Sequence, residues 1–225
     1  MRLIVPIALV CAAASAVPMA QTDEARRISE AVTVLREIMD AGDQSVPGSI
    51  MQKAQGIAVF PSMLKGGFVV GGQHGRGVMS ARDPKTGAWS SPAFLTITGG
   101  SLGFQIGGQA VDLILVIQNR RGLEQLVSNQ FKIGADASVA AGPVGRAAGA
   151  STDIQMRAQI LSYSRTRGLF AGVSLNGTTI QQDRDANDRF YGMGYRTGQI
   201  VFDGLGGEPA PVGDWKAALA KYSAP

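Results

Sequence analysis

The chain has 225 residues, 45% hydrophobic and 17% charged, which suits one folded domain with a real core and excludes a disordered tail or two full-sized domains. Thirty glycines exclude a mainly helical protein, because glycine weakens helix interiors, and favour short strands, tight turns and bulges. The formal net charge of +4 and a pI near 9.5 mildly favour anionic partners, yet the basic residues are scattered and form no dense block of the kind that marks nucleic-acid binding.

In chain order, Met1-Arg2 gives a short positive start, Leu3 to Ala14 an apolar run, and Ala14-Ser15-Ala16 the A-x-A form of a cleavage site. Residues 1–20 are expected to be a signal peptide, cleaved after Ala16 or Ala20, and residues 21–225 a single domain. A retained anchor is the alternative, but the run is barely long enough to span a bilayer and Pro6 and Pro18 interrupt it. Cys11, the one cysteine, sits in an Ala8-Leu9-Val10-Cys11 context that fits a lipoprotein signal poorly. If it leaves with the signal, no thiol remains for a disulfide or for cysteine-based metal chemistry. The expected location is the periplasm or the outer-membrane surface, or outside the cell.

The spacing predicts a first helix from Thr22, with Asp23 and Glu24 in its first turn and Ala25, Ile28, Val32, Leu35 and Met39 along one side. A second, short helix starts near Pro47. From Gly56 the pattern becomes strand-like. Ile57 to Phe60 is a run stopped by Pro61, and strands at 67–70 and 78–82 flank a Gly-His-Gly-Arg-Gly turn. Strands at 93–98, 102–106 and 112–119 follow, the last apolar on both faces and so central. Residues 122–129 suggest a helical turn, and 134–151 show no clear period. Alternation then predicts strands at 154–160 and 169–175, an Asn176-Gly177 hairpin turn, and a returning strand at 178–182. Short helices at 183–191 and 214–222 complete the chain.

One enzyme motif is present by spelling. Gly99-Gly-Ser101-Leu-Gly103 matches the G-x-S-x-G elbow, which needs an exposed serine on a strand-to-helix turn and a histidine later in the chain. Here the sole histidine, His74, comes earlier, and Phe104-Gln-Ile106 continues as strand, so a hydrolase using Ser101 is a distant alternative. His74 alone makes no zinc site, and Asp183, Asp185 and Asp188 do not complete a calcium loop. No phosphate-binding glycine loop occurs. No catalytic residue, metal site or cofactor is expected.

Taken as a set, the glycine clusters resemble the SYLF domain. The resemblance runs from about Ile50 to Gly192. It rests on GIAVFP (56–61), KGGFVVGG (65–72), WSSPAF (89–94), GGSLGFQIGG (99–108), DLILVIQN (112–119), AAGPVGR (140–146) and YSRTRGLFAGVSLNG (163–177). Asp183, Asn187 and Tyr191-Gly192 close the set. It implies a non-enzymatic domain that binds phospholipid at or near a membrane surface. Similar eukaryotic domains prefer phosphoinositides, use an N-terminal amphipathic helix at the membrane, and in some cases bind actin. An exported protein of bacterial type would meet neither actin nor phosphoinositides.

The expected fold is therefore α+β and β-dominated: an antiparallel glycine-rich sandwich or barrel-like sheet, with an N-terminal helix pair and a short C-terminal helix. The expected partner is an anionic phospholipid or fatty acyl chain. Arg165 and Arg167, two apart on a strand, are candidates for a shared phosphate, with Lys65 and Arg146 in comparable loops. Ile28, Val32, Leu35 and Met39 form either a membrane-contact stripe or a stripe packed on the sheet. An eight-stranded outer-membrane barrel is the main alternative, although the chain is only 6% aromatic and its strands are short.

Overall fold

The computed structural model describes residues 22–224 apart from 68–69, 103–106, 129, 145–157, 167–168, 171–174 and 176. The signal segment and the expected strand at 154–157 thus lie outside the described residues. Two helices open the domain, α1 (Asp23–Met39) and α2 (Gly48–Lys53). The Thr22 hydroxyl caps α1 by accepting from the Ala25 N–H at 3.2 Å. Four long strands follow: β1 (Gly56–Gly67), β2 (Val70–Ala81), β3 (Ala93–Leu102) and β4 (Gly107–Ile117). Then come α3 (Arg120–Val127), β5 (Gln130–Lys132), β6 (Val139–Ala141), β7 (Ile160–Thr166), β8 (Leu169–Phe170) and β9 (Thr178–Gln182). The helices α4 (Arg184–Tyr191), α5 (Thr197–Phe202) and α6 (Val212–Ser223) end the chain.

All strands belong to one curled sheet of order β5-β9-β3-β2-β1-β4-β7-β6, with β8 on β7. Every pairing between these strands is antiparallel except that of β6 with β7. The barrel-like form is the one adopted, as a single sheet and not two facing ones. Among the described residues no pairing joins β5 to β6, so the sheet stays open. Each face carries its own core. One face, here the α1 face, packs Ile57, Val59, Val78, Phe94, Ile114 and Val116 under α1, α2, α4 and α6. The other, the α3 face, packs Phe60, Met79, Leu95, Leu113, Leu115 and Ile180 under α3 and α5. Buried indoles fasten α6: Trp215 Nε1 donates to Ser80 Oγ at 2.8 Å and Trp89 Nε1 to Ser223 Oγ at 3.0 Å.

Several local expectations change. Pro61 does not stop β1. It begins a bulge at which both ladders of β1 shift register, with Ser62 at φ +48° and its N–H donated to Asp112 Oδ1 at 2.9 Å. A proline inside a strand is tolerated where the ladder is already broken. The Gly-His-Gly-Arg-Gly segment is not a turn but the middle of β2. Its glycines answer crowding: a Cβ on Gly77 would lie 2.3 Å from the Val59 carbonyl oxygen, and one on Gly75 2.9 Å from Met63 Cγ. Gly177, at φ +75°, does make a turn, but β9 pairs with β3 and β5, not with the strand before it. Of the strand expected at 102–106, Leu102 is the last residue of β3 and 103–106 lie outside the described residues.

Candidate functional site

The bulge decides what the far end of the sheet presents. It puts one extra residue on β1, so Met63 and Lys65 join Ala58 and Phe60 on the α3 face, against simple alternation. Leu64 and Gly66 therefore point to the α1 face. Here the strands end in glycine. Across β3, β2, β1 and β4 the register aligns Gly100, Gly72, Gly66 and Gly108 on the α1 face. One residue further along, Ser101, Gly71, Gly67 and Gly107 align on the α3 face. Seven of these eight positions are glycine.

On the α1 face two of these glycines, Gly72 and Gly100, face open space. A Cβ added at Gly72 or Gly100 would meet nothing within 4 Å, so packing does not require these glycines. The next row holds Thr98, His74, Leu64 and Ala110, and Leu64 is 63% exposed. Arg76 is exposed one row inward, beside the start of α1. The Asp23 carboxyl there is held below its ordinary value chiefly by a hydrogen bond from Arg26, with Arg76 a weaker contributor.

On the α3 face the same end carries a buried polar row. Thr178, Gly99, Gln73, Lys65 and Gln109 are in register across five strands. The Gln73 amide reaches over Gly99 to bond Thr178 Oγ1. A Cβ on Gly99 would lie 2.9 Å from that oxygen and 3.0 Å from Gln73 Nε2, so only glycine leaves room for the bridge. The other end of the amide, Oε1, is buried without a partner. Lys65 is 7% exposed and has no hydrogen-bond or ion-pair partner among the described residues. Burial pushes its ammonium below the ordinary lysine value.

Arg165 lies on the opposite face from Lys65, so these two candidates do not converge. Its guanidinium pairs with Glu37 of α1 and stands 4.0 Å from Asp112 Oδ2. Arg146 and Arg167 lie outside the described residues. The stripe Ile28, Val32 and Leu35 is buried in the core beneath α1, with Met39 partly buried at its edge. Each of the three buried side chains contributes roughly 1.5–3 kcal/mol by leaving water. Charged ties add to this: Arg27 Nη1 donates to Asp183 Oδ2 and Arg189 Nε to Glu24 Oε1, each at 2.8 Å, and Arg27 lies 5.2 Å over the Phe94 ring. Asn187 Oδ1 accepts from the Phe94 N–H at 2.9 Å. The family-like Asp183 and Asn187 thus join α4 to α1 and β3.

Ser101 lies in β3 opposite Gly71, and residues 103–106, which follow that strand, lie outside the described residues. Among the described residues no cluster of three or more His, Cys, Asp or Glu side chains could hold a metal, and no helix is long and apolar enough to cross a membrane. Beyond the core end of the sheet, Arg82 and Arg120 line an open cleft of ≈ 540 Å³, with Trp89 and Phe202 in its wall. Both are engaged: Arg82 Nη1 donates to the Gln52 carbonyl at 2.7 Å, and Arg120 stacks 4.1 Å over Phe202.

An open, curled sheet with a helix-packed end and a glycine end defines a strand-rich domain of α+β type. The Ysc84 family, described as "Las17-binding protein actin regulator", matches residues 98–222. The chain is 32% identical over 210 residues to SH3 domain-containing YSC84-like protein 1 of Rattus norvegicus, covering 92% of this chain and 61% of that protein. It is 32% identical over 199 residues to the Homo sapiens protein of the same name, covering 87% of this chain and 57% of the other. It is 33% identical over 175 residues to LAS seventeen-binding protein 3 of Saccharomyces cerevisiae (strain ATCC 204508 / S288c), covering 76% of this chain and 38% of that protein. The chain belongs to the Ysc84, or SYLF-domain, family. It spans 61% or less of the length of these relatives.

Proposed function

We propose that this domain binds anionic phospholipid at a membrane surface and acts by binding, without turnover. The observation that carries the reading is Leu64, 63% exposed in a strand end where Gly72 and Gly100 face open space. At this end β1 and β2 are laddered on both sides, while β3 beyond Gly99 and β4 before Asp112 are laddered on one side only among the described residues. The β1–β2 part of this surface therefore offers bilayer headgroups a flat face with few polar groups to strip of water. Arg76 supplies positive charge at its border. Arg165 is already committed to Glu37 and Asp112, so we give the headgroup contact to Arg76 in its place. The relatives' names describe binding proteins and a regulator, which supports a partner-binding use of the fold. An envelope location, suggested by the N-terminal segment, is part of the same proposal.

The test is co-sedimentation with phosphatidylcholine vesicles doped with phosphatidylglycerol. Binding is expected to weaken with salt, since exposed charges are screened, and to fall roughly tenfold or more in folded Leu64→Glu. Equal binding by that variant and the parent, or none by the parent, would overturn the proposal.

A further inference from the structure

The cleft beyond the core end of the sheet has no part in the membrane reading. Three separate stretches meet in it: the β2–β3 connection at 82–90, Arg120 at the start of α3, and Val201 and Phe202 at the end of α5. The connection is held in shape by its own bonds. The Asp83 N–H donates to the Ala88 carbonyl at 2.8 Å and the Gly87 N–H to the Asp83 carbonyl at 2.9 Å. The Asp83 carboxylate accepts from the Lys85 and Thr86 N–H groups at 2.7 and 2.8 Å. A volume of ≈ 540 Å³ lies in the range of clefts that take ligands, and a wall fixed beforehand lowers the ordering cost of binding.

Each arginine is set in place with donors to spare. Arg82 gives Nε to the Gly87 carbonyl at 3.1 Å and Nη1 to the Gln52 carbonyl, and lies 6.0 Å from the centre of the Trp89 ring. Arg120 gives Nε to Glu124 and stacks on Phe202. Arg82 Nη2 and both terminal nitrogens of Arg120 donate no hydrogen bond among the described residues. A guanidinium already held by its neighbours loses little freedom when its remaining N–H groups close on a carboxylate, which they match in pairs. Beside them the exposed Pro84 and Ala88 offer apolar wall. One carboxylate also lines the cleft, Asp83, held below its ordinary value chiefly by the bond from the Thr86 N–H. It opposes a doubly charged phosphate more than a singly charged carboxylate. The cleft is open, so it suits a ligand that runs on past it, as a chain does.

We infer that this cleft binds a short acidic segment of a partner protein. Arg82 and Arg120 take a glutamate or aspartate side chain, and a neighbouring apolar side chain of the segment lies on Pro84 and Ala88. The inference goes beyond the membrane reading and stands apart from it. Leu64 belongs to the opposite end of the same strands, so the two sites can be filled, and can fail, separately.

The experiment uses the full chain and three probes. They are a short fluorescein-labelled peptide of alternating glutamate and leucine, the same peptide with glutamine for glutamate, and one with phosphoserine for glutamate. Fluorescence polarisation reads binding and the melting temperature reads folding for the parent, Arg120→Gln, Asp83→Asn and Leu64→Glu. The parent is expected to bind the glutamate peptide roughly tenfold or more tightly than the glutamine peptide, and less tightly as salt rises. Arg120→Gln should melt close to the parent, because the ion pair with Glu124 is half exposed, yet bind the glutamate peptide roughly tenfold more weakly. Asp83→Asn keeps an oxygen for the Lys85 and Thr86 N–H groups and removes the opposing charge. It should bind the glutamate peptide more tightly, a gain that damaged folding would not produce. Leu64→Glu adds a negative charge at the far end and should leave peptide binding unchanged, which separates the cleft from a general effect of net charge. If folded Arg120→Gln binds the glutamate peptide as tightly as the parent, or the parent does not prefer it to the glutamine peptide, the inference is wrong. Tighter binding of the phosphoserine peptide overturns the assignment to a carboxylate. If the parent binds the phosphatidylglycerol-doped vesicles but not the glutamate peptide, this site falls and the membrane proposal remains. If it binds the peptide through Arg120 but no vesicles, the reverse holds.

Discussion

The two ends of β1–β4 are made from the same strands and behave as different materials. At the core end, Ile57, Val59, Phe60, Val78, Met79, Phe94, Leu113 and Leu115 are covered on both faces by helices. There a glycine such as Gly77 marks a place where a neighbour fills the space a side chain would need. At the other end Gly72 and Gly100 face nothing. A residue type thus means crowding at one end and deliberate bareness at the other. The core end holds the fold together, and the glycine end is free to be a surface.

Four measurements would break or sharpen that contrast. The largest effect is expected at the core end from Asp183→Ala, which strands the buried Arg27 without its partner and removes the cap that accepts from the Ala186 N–H. Urea unfolding should show a loss of about 3–5 kcal/mol. A loss below about 1 kcal/mol would mean that α1 is held by its apolar stripe alone.

The next comparison sets Gly77→Ala against Gly72→Ala. The first forces a Cβ to within 2.3 Å of the Val59 carbonyl oxygen and should cost about 2–3 kcal/mol. The second meets open space and should change stability by less than about 0.5 kcal/mol. Equal losses at the two sites would erase the distinction between the ends.

Gly99→Ala probes the boundary between them. Its Cβ would sit where Gln73 crosses to Thr178, leaving two buried polar groups unpaired, and should cost roughly 1–3 kcal/mol. A crystal structure of the variant retaining the bridge would refute that account.

The smallest effect is a slope with pH. Burial depresses the Lys65 ammonium below 10.5, so between its folded value and 10.5 the unfolded chain binds more protons and stability rises with pH. Tyr163 and Tyr191, whose hydroxyls burial pushes up, act in the opposite sense above 10.0. The comparison is therefore between the parent and Lys65→Met, in which the tyrosines cancel. The stability advantage of Lys65→Met should shrink as pH climbs toward 10.5. An advantage independent of pH would show that folding does not depress the lysine, which then keeps its proton in both states.

Much of the framework was legible in the residues. Thr22 and the Ile28, Val32, Leu35 spacing give α1, and Asp183 gives the start of α4, because capping and helical period are local signals. The short helix α5 was not anticipated: six residues with Gly198 inside carry too little period to stand out. Pro61 and the glycines of β2 misled for one reason. Their usual meaning is a stop or a turn, and only the partner strands reveal a bulge and a crowded centre. Of the candidate site, the buried polar row was partly visible through Lys65, but Gln73, Gly99 and Thr178 were not. They meet only through register, and the bulge reverses the parity by which Lys65 would be assigned a face. Arg165 was visible as a charge, while Glu37, 128 residues away, could not be foreseen as its partner.

The bulge at Pro61 and Ser62 interrupts both hydrogen-bond ladders of β1 at one level. Neither ladder of β1 then carries fraying from the strand tips into the core unbroken, while the β2–β3 ladder runs on without a shift from Val70–Leu102 to Met79–Ala93. In deuterated solvent, amide protons of 64–67 and 71–74 should exchange through local openings, while those of 57–60 and 77–81 wait for rarer, larger ones. The break falls on β1 alone, so the glycine end of that strand can open while its core end stays shut.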